Sequence, residues 1–284
     1  MAIAGFSQVG IVGAGQMGSG IAQVCAAKGL KVMLIDSNGD ALNRARQSIE
    51  RSAKKLHEKG RLSAQEQSWI EGIEFSESLD LLDGACLAIE AIVENEAIKK
   101  QLFERLDQIL PKDSVIASNT SSLPITRLAA VTSRPEKFIG IHFMNPVPLM
   151  KLVEIIPGMA TSDETKSRSV ALAEGLGKEV SLSQDYPGFV VNRILMPMIN
   201  EAFTALMEGV ASPEDIDKGM KLGTNQPMGP LTLADFIGLD TCLAIMEVLH
   251  SGLGDNRYRP SPLLRQYVDA GWLGKKTGRG VYQY

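Results

Sequence analysis

The chain has few cysteines and histidines, the residues on which disulfide frameworks and most zinc sites depend. Its three cysteines, Cys25, Cys86 and Cys242, lie far apart among apolar residues, so they fit neither a disulfide framework nor a metal-ligand spacing. We expect them to be small buried side chains in a reducing compartment. The three histidines have no cysteine or carboxylate at metal-ligand spacing, and we predict no metal site.

A basic excess, a long apolar run and a targeting segment are also missing. The formal net charge is −4 and the isoelectric point is about 5.5, which argues against nucleic acid as a partner. No apolar run approaches the ~18 residues that a membrane span needs, and the N-terminus has no signal-peptide signature. We therefore expect no membrane partner and a cytoplasmic, bacterial protein, although a mature mitochondrial matrix enzyme would have the same features.

Strands and helices alternate along the first two thirds of the chain. The apolar runs that read as strands lie at residues 8–12, 31–35, 86–93, 115–117, 138–144 and 152–156. Apolar residues spaced by three or four predict a long amphipathic helix over residues 41–59. This alternation predicts an α/β fold with a Rossmann-like, doubly wound and largely parallel sheet.

The character of the sequence changes at Tyr186-Pro187-Gly188. Most of the remaining chain reads as helix, with a kink expected at Pro197 and one continuous helical stretch over residues 231–249. We predict two domains, residues 1–187 with the sheet and residues 188–284 as an all-α C-terminal domain.

A glycine turn, Gly13-Ala14-Gly15-Gln16-Met17-Gly18, lies between the first strand and the first helix. Its glycines permit a tight turn, close approach of a pyrophosphate to the backbone, and close helix–strand packing. Asp36 follows the second strand, about 20 residues on, where a carboxylate accepts hydrogen bonds from the adenosine ribose. The first domain is therefore predicted to bind NAD. Arg44 and Arg46, in the next helix, leave NADP open.

An imidazole and a carboxylate occur in two neighbouring apolar runs. His142 lies in Phe138–Met144 and Glu154 in Leu152–Ile156. A lone histidine in such a run is often only a core residue, but an unpaired buried carboxylate is costly. If the two runs lie side by side, Glu154 can fix the ring of His142 and raise its basicity, which suits a general base for alcohol oxidation.

Three further polar features have both a structural and a functional interpretation. In Ser118–Ser122, Ser121 or Ser122 is either an N-cap of the next helix or part of a ligand site at the carboxyl end of the sheet. Asn192 is an unexpected polar residue among apolar neighbours. Ser48, Ser52, Lys55 and Lys59 line one edge of the long helix, as a solvated face or as contacts for substrate phosphates.

Six separated motifs, in order along nearly the whole chain, resemble those of the L-3-hydroxyacyl-CoA dehydrogenase family. They are Gly13–Gly18, Glu90-Ala91-Ile92-Val93-Glu94-Asn95, Ala117-Ser118-Asn119-Thr120-Ser121-Ser122, His142-Phe143-Met144-Asn145-Pro146, Pro187-Gly188-Phe189-Val190-Val191-Asn192-Arg193 and Gly274-Lys275-Lys276-Thr277-Gly278. The resemblance implies reversible, NAD-dependent oxidation of an (S)-3-hydroxyacyl-CoA to a 3-oxoacyl-CoA. In length the chain is similar to the family's bacterial 3-hydroxybutyryl-CoA dehydrogenases.

The resemblance also implies roles for the candidate residues. His142 is the base, Glu154 its partner, and Ser121 and Asn192 bind the reacting part of the substrate. Ser52 and Lys59 match positions that contact coenzyme A, and the C-terminal domain forms a homodimer. The implied cofactor-binding residues are Gly13, Ala14, Gly15, Gln16, Met17, Gly18, Asp36, Glu94, Lys99, Ser121, Asn145 and Lys276.

Two alternatives stay open. One is a related dehydrogenase of a free hydroxy acid, such as a sugar acid, which would not need Ser52 and Lys59. The other is a non-catalytic NAD-binding protein, against which the set of His142, Glu154, Ser121 and Asn192 argues. Met144 stands where many family members have an aromatic residue, so the shape of the acyl pocket is expected to differ.

Overall fold

The computed structural model describes all residues from 1 to 284, which divide into two compact units. The first contains residues 1–186 and the second residues 187–284. No helix in either unit combines the length and the apolar character that crossing a membrane requires.

The first unit is built on one eight-stranded sheet in the order β3-β2-β1-β4-β5-β6-β7-β8. Neighbouring strands are parallel except for β6 and β7, which are antiparallel. The strands are β1 Gln8–Val12, β2 Lys31–Ile35, β3 Glu74–Ser76, β4 Leu87–Glu90, β5 Val115–Ser118, β6 Phe138–Phe143, β7 Leu152–Pro157 and β8 Glu179–Leu182. This order reverses direction between β1 and β4, so the predicted Rossmann-like fold is confirmed.

The helices that follow these strands supply the rest of the core. They are α1 Gln16–Ala27, α2 Gly39–Glu58, α3 Ala64–Glu71, α4 Glu96–Ile109, α5 Ile125–Ala129 and α6 Asp163–Gly175. The long helix α2 buries Leu42, Ala45, Ile49 and Ala53, which recur every three or four residues and therefore share one face. Central strands are buried on both faces, which explains why they read as continuous apolar runs.

The strand predicted over residues 86–93 ends earlier, at Glu90. The buried Glu90 carboxylate accepts a hydrogen bond of 2.7 Å from the amide of Ile92, two residues further on. This side-chain bond turns the backbone away from the ladder. The residues from Ala91 to Asn95 therefore form a loop at the carboxyl edge of the sheet, directly after β4.

One structural ion pair ties α4 to the segment before β6. Asp107 accepts hydrogen bonds from Nε of Arg134 at 2.7 Å and from the amide of Ser133 at 2.8 Å. Burial alone would raise the pKa of Asp107, but the Ser133 amide and the Arg134 guanidinium hold it below its ordinary value. Arg134 also donates to the main-chain carbonyls of Asp107 and Pro111, so the guanidinium is well satisfied in its buried position.

The second unit is helical, with its own apolar core. Its helices are α7 Val191–Met207, α8 Pro213–Gly223, α9 Pro230–Ile237, α10 Leu239–Leu253 and α11 Pro262–Asp269. The prediction of one helix over residues 231–249 is wrong, because Gly238 separates α9 from α10. Its φ of 106° is a conformation that favours glycine, and the apolar spacing that continues on both sides concealed the break.

Candidate active site

The glycine turn between β1 and α1 is shaped for a ligand that approaches its backbone. A Cβ atom on Gly18 would lie 1.8 Å from the carbonyl oxygen of Gly13, whereas a Cβ on Gly15 would have no atom within 4 Å. Gly18 is thus needed for packing, and Gly15 leaves open space beside the helix start. No side chain caps α1, which suits a phosphate at this helix N-terminus.

Asp36 reaches back from the end of β2 to the glycine turn. Its Oδ2 accepts a hydrogen bond of 2.7 Å from the amide of Ala14, and its Oδ1 one of 2.9 Å from the amide of Asn38. A cavity of about 300 Å³ beside Asp36 is also lined by Ile92, Glu77 and Arg105. The apolar part of this lining fits an adenosine. Its carboxylates, which outnumber its cations, can accept hydrogen bonds from the ribose hydroxyls and disfavour an added 2′-phosphate.

Glu77 is a residue of this cavity that was not predicted from the sequence. It follows the short strand β3, which lies next to β2 and so brings Glu77 close to Asp36. The two arginines that left NADP open do not line this cavity. Arg46 places its guanidinium 4.1 Å from the centre of the Phe75 ring, and Arg44 lines a different cavity. The surroundings of Asp36 therefore favour NAD.

His142 and Glu154 lie directly opposite each other on the antiparallel strands β6 and β7. Nδ1 of His142 is 2.8 Å from Oε2 of Glu154, and Nε2 is 3.1 Å from Oγ of Ser121. Glu154 has no exposed surface and His142 is 5% exposed. The side-by-side arrangement considered for the two apolar runs is the one the sheet adopts.

This geometry fixes what the imidazole can do. An ionised carboxylate only accepts hydrogen bonds, so the proton of neutral His142 sits on Nδ1 and the lone pair on Nε2. Nε2 then faces the hydroxyl of Ser121, a group that a substrate hydroxyl can replace or join. A protonated imidazole would be stabilised by Glu154. The three side chains thus form a site that can take up a proton and return it.

Glu94 holds the loop that carries Ser121. Its Oε1 accepts hydrogen bonds from the hydroxyl of Thr120 at 2.5 Å and from the amides of Ser121 and Ser122 at 2.9 and 3.2 Å. The alternative that Ser121 or Ser122 caps the next helix is wrong. The first amides of α5, from Ile125 and Thr126, both donate to Asp185 at 2.7 Å, a residue that was not predicted from the sequence.

Lys99 lies behind Glu94. Its buried ammonium group forms an ion pair with Glu94 at 3.1 Å and another with Glu90, while Ser118 donates to Glu90 at 2.6 Å. Burial raises the pKa of Glu90. Burial alone would also raise the pKa of Glu94, but the Lys99 ammonium and the Thr120 hydroxyl hold it below its ordinary value. Of Glu94 and Lys99, only Glu94 has an exposed surface that a cofactor can reach.

Ser52 on α2 and Lys59, the C-cap residue of this helix, face a loop between β6 and β7, which we call the 145–151 loop. One cavity, of about 380 Å³, extends from the glycine turn past Ser48 and Ser52 to Asn145 and Pro148. A second, of about 210 Å³, continues the same side of α2 and is lined by Ser52, Lys55, Leu56, Lys59, Arg61, Pro146, Pro148 and Leu149. Arg61, beyond the end of the helix, adds a further cation to this cavity. It was not predicted from the sequence, because it lies outside the apolar repeat that defines the helix.

Two of the predicted site residues lie in the second unit. Asn192 is buried in the first turn of α7. Lys276 is half-exposed and forms an ion pair with Asp240, with its Nζ 2.6 and 2.7 Å from the two carboxylate oxygens. Gly274, two residues before Lys276, has a φ of 95°, and a Cβ there would lie 2.3 Å from the carbonyl oxygen of Asp235. That contact explains the glycine in this motif.

Three features of the first unit are together typical of NAD-dependent dehydrogenases. They are a Rossmann-like sheet, a glycine turn followed by Asp36, and a histidine–carboxylate pair at the same edge of the sheet. Two family models support this class over nearly the whole chain. One described as 3-hydroxyacyl-CoA dehydrogenase, NAD binding domain, matches residues 8–186, and one described as 3-hydroxyacyl-CoA dehydrogenase, C-terminal domain, matches residues 188–284. The chain belongs to the 3-hydroxyacyl-CoA dehydrogenase family.

Individual relatives agree over nearly their full length. A probable 3-hydroxybutyryl-CoA dehydrogenase of Deinococcus radiodurans is 58% identical, covering 97% of this chain and 99% of the relative. One of Bacillus subtilis is 57% identical, covering 98% and 97%. The crystal structure of (S)-3-hydroxybutyryl-CoA dehydrogenase from Ralstonia eutropha has a TM-score of 0.94 at 52% identity, covering 98% and 99%. The predicted family, oxidoreductase class and NAD cofactor are confirmed, and acyl-CoA is the substrate class.

Proposed function

We propose that the chain oxidises (S)-3-hydroxybutyryl-CoA to the 3-oxoacyl-CoA, reversibly, with His142 as general base. The observation that carries this proposal is the hydrogen-bonded series Ser121–His142–Glu154 at the carboxyl edge of the sheet. The short acyl chain is supported by the names of the bacterial relatives. The assignment of coenzyme A as the carrier of the acyl chain is supported by the cations Lys55, Lys59 and Arg61, which line one cavity along and just beyond α2.

In the forward direction, Nε2 of His142 accepts the proton of the substrate's 3-hydroxyl. Bound NAD supplies the hydride acceptor for the hydrogen on C3. Ser121 holds the substrate oxygen beside Nε2, and Glu154 accepts a hydrogen bond from Nδ1 throughout, so that the imidazolium is stabilised as it forms. In reverse, the imidazolium returns its proton to the ketone oxygen. We assign Asn192 a hydrogen bond to the same reacting part of the substrate.

We assign NAD binding to the first unit, and we assign the cofactor and substrate contacts from the residues that line its cavities. Gly13–Gly18 and Asp36 would hold the adenosine and pyrophosphate, with Glu94, Asn145 and Lys276 helping to hold the nicotinamide end. Lys99 would act on the cofactor through Glu94. Ser52 and Lys59 would bind coenzyme A, whose phosphates suit an ammonium group and a hydroxyl donor.

We also propose that the second unit forms a homodimer and that the protein is cytoplasmic. Exposed apolar side chains of this unit support the first part. They include Ile194, Leu222 and Phe236, which a partner surface would cover. The bacterial relatives support the second part. Light scattering and cell fractionation test these two statements, and a monomer or a membrane-bound fraction would contradict them.

The proposed reaction is tested by measuring reduction of acetoacetyl-CoA with NADH and with NADPH. We expect NADH to be preferred, and His142→Gln to lower the rate by about 10²–10⁴-fold through loss of acid–base catalysis. His250→Gln, in the second unit, is the matched control and should retain activity. Near-normal turnover by a folded His142→Gln protein would contradict the mechanism. Equal reduction of free acetoacetate and acetoacetyl-CoA would instead favour the free-acid alternative.

A further inference from the structure

Lys178 is a buried cation that the proposed reaction does not use. It lies between α6 and β8 and is 8% exposed. Its ammonium group donates hydrogen bonds to the main-chain carbonyls of Val147 at 2.6 Å and of Met150 at 2.8 Å. Burial lowers the pKa of Lys178. A buried charge is costly unless its partners are well placed, so these two carbonyls are significant acceptors.

Both carbonyls belong to the 145–151 loop, which forms a wall of the substrate cavities. Asn145, Pro146, Val147 and Pro148 line the cavity that begins at the glycine turn. Pro146, Pro148 and Leu149 line the second cavity, opposite Ser52 and Lys59. The distance between this loop and α2 therefore sets the width of the groove along α2.

The loop has limited means of holding itself in place. Pro146 and Pro148 have no amide hydrogen to donate, and the amides of Leu149 and Met150 both donate to the carbonyl of Pro146 at 3.0 Å. Val147 is buried against α1, where a Cβ on Gly20 would lie 2.8 Å from it. The ammonium group of Lys178 joins the two ends of the Val147–Met150 turn.

We propose that Lys178 is a positioning residue that holds the 145–151 loop at the width needed to bind the coenzyme A part of the substrate. The proposal rests on the proposed function, because that function places coenzyme A between the loop and α2. Lys178 itself touches neither substrate nor cofactor. Removing its ammonium group frees these two main-chain carbonyls and lets the Val147–Met150 turn move, while Asn145 and the Ser121–His142–Glu154 series keep their places.

The test uses Lys178→Met, which keeps the length of the side chain and removes its charge and donors. Hydrogen exchange of the unliganded protein is expected to become about tenfold faster or more at the amides of Leu149 and Met150, the scale of losing one hydrogen bond to a charged group. Lys151→Met is the matched control, because Lys151 is the last residue of the same loop and its side chain is 81% exposed. It should leave this exchange unchanged.

Activity is then compared on two thioesters, acetoacetyl-CoA and acetoacetyl-N-acetylcysteamine, which lacks the nucleotide part. In Lys178→Met we expect kcat/KM for acetoacetyl-CoA to fall about tenfold or more, and kcat/KM for the short thioester to change little. A general loss of structure would lower both alike. If Lys178→Met does not fold, Lys178→Gln serves the same test, since its shorter side chain ends before the two carbonyls.

Each outcome has a definite meaning. Unchanged exchange in the loop overturns the positioning role, and faster exchange with an unchanged preference for acetoacetyl-CoA overturns the link to coenzyme A. Ser52→Ala and Lys59→Met separate that second failure from a failure of the proposed function. If they reduce the preference and Lys178→Met does not, only the role of Lys178 is wrong. If they also leave it unchanged, the proposed coenzyme A groove is wrong.

Discussion

Replacing Glu154 with glutamine tests the histidine–carboxylate pair most directly. The change keeps the length of the side chain and removes the negative charge 2.8 Å from Nδ1 of His142. A hydrogen bond to a charged group contributes about 1.5–3 kcal/mol, which at about 1.4 kcal/mol per tenfold predicts a rate reduction of about 10- to 150-fold. The amide can also donate to Nδ1, which would move the ring proton to Nε2 and lower the rate further.

The assay is kcat/KM for reduction of acetoacetyl-CoA by NADH, with Glu154→Gln and His142→Gln measured singly and together. Because Glu154 acts through His142, the double variant should be no slower than His142→Gln alone. Glu179→Gln, an exposed carboxylate on the neighbouring strand β8, is the control and should match the unchanged protein. Fully multiplicative effects, or a Glu154→Gln rate within about twofold of normal, would refute the reasoning.

The other predictions concern the cofactor site and stability. Gly18→Ala should lower the melting temperature because its Cβ would meet backbone at 1.8 Å, whereas Gly15→Ala should preserve stability and raise the KM for NADH, as kinetics and thermal unfolding will show. Asp36→Ala should reduce the preference for NADH over NADPH, measured as the ratio of kcat/KM values, and an unchanged ratio would contradict its role. The depressed pKa of Asp107 stabilises the fold above the ordinary pKa of an aspartate, and this stabilisation is lost as the pH falls through the folded value. Asp107→Asn should therefore lower the free energy of unfolding by about 1–3 kcal/mol at pH 7 and progressively less below about pH 4. The control is Asp113→Asn, which replaces a fully exposed carboxylate and should change the free energy of unfolding little at pH 7 or below pH 4.

The central strands could be predicted from the sequence because they are buried on both faces. The edge strands β3 and β8 were not predicted, because they lack this burial on both faces. Glu74–Ser76 and Glu179–Leu182 are short and partly exposed at the two edges of the sheet, so they have no continuous apolar run. The interruption at Gly238 was missed because apolar spacing reports which face is buried, not whether the backbone continues as a helix.

The residues of the candidate site were predictable to the extent that their partners are side chains. His142 and Glu154 were paired from sequence because each is unusual in an apolar strand. Ser121 was a candidate for a ligand site because it follows a parallel strand and so lies at the carboxyl end of the sheet, and only the family resemblance implied that it binds the reacting part of the substrate. Asp185 was missed because its partners are the amides of Ile125 and Thr126, and an amide is present at nearly every position of a chain.

Glu90 obeys the same physical rule as Glu154. Both carboxylates lie in apolar strands and are fully buried, so both require partners. The partner of Glu90 is Lys99, nine residues later in α4, and the pair supports the Glu94 carboxylate that holds the Ser121 loop. An acid inside an apolar strand thus predicts a partnered carboxylate, and its position towards the carboxyl edge of the sheet, where ligands bind, predicts that the pair organises a site. The role of Lys178 could not be predicted in this way. Its partners are main-chain carbonyls, which every residue has and which the sequence therefore does not distinguish.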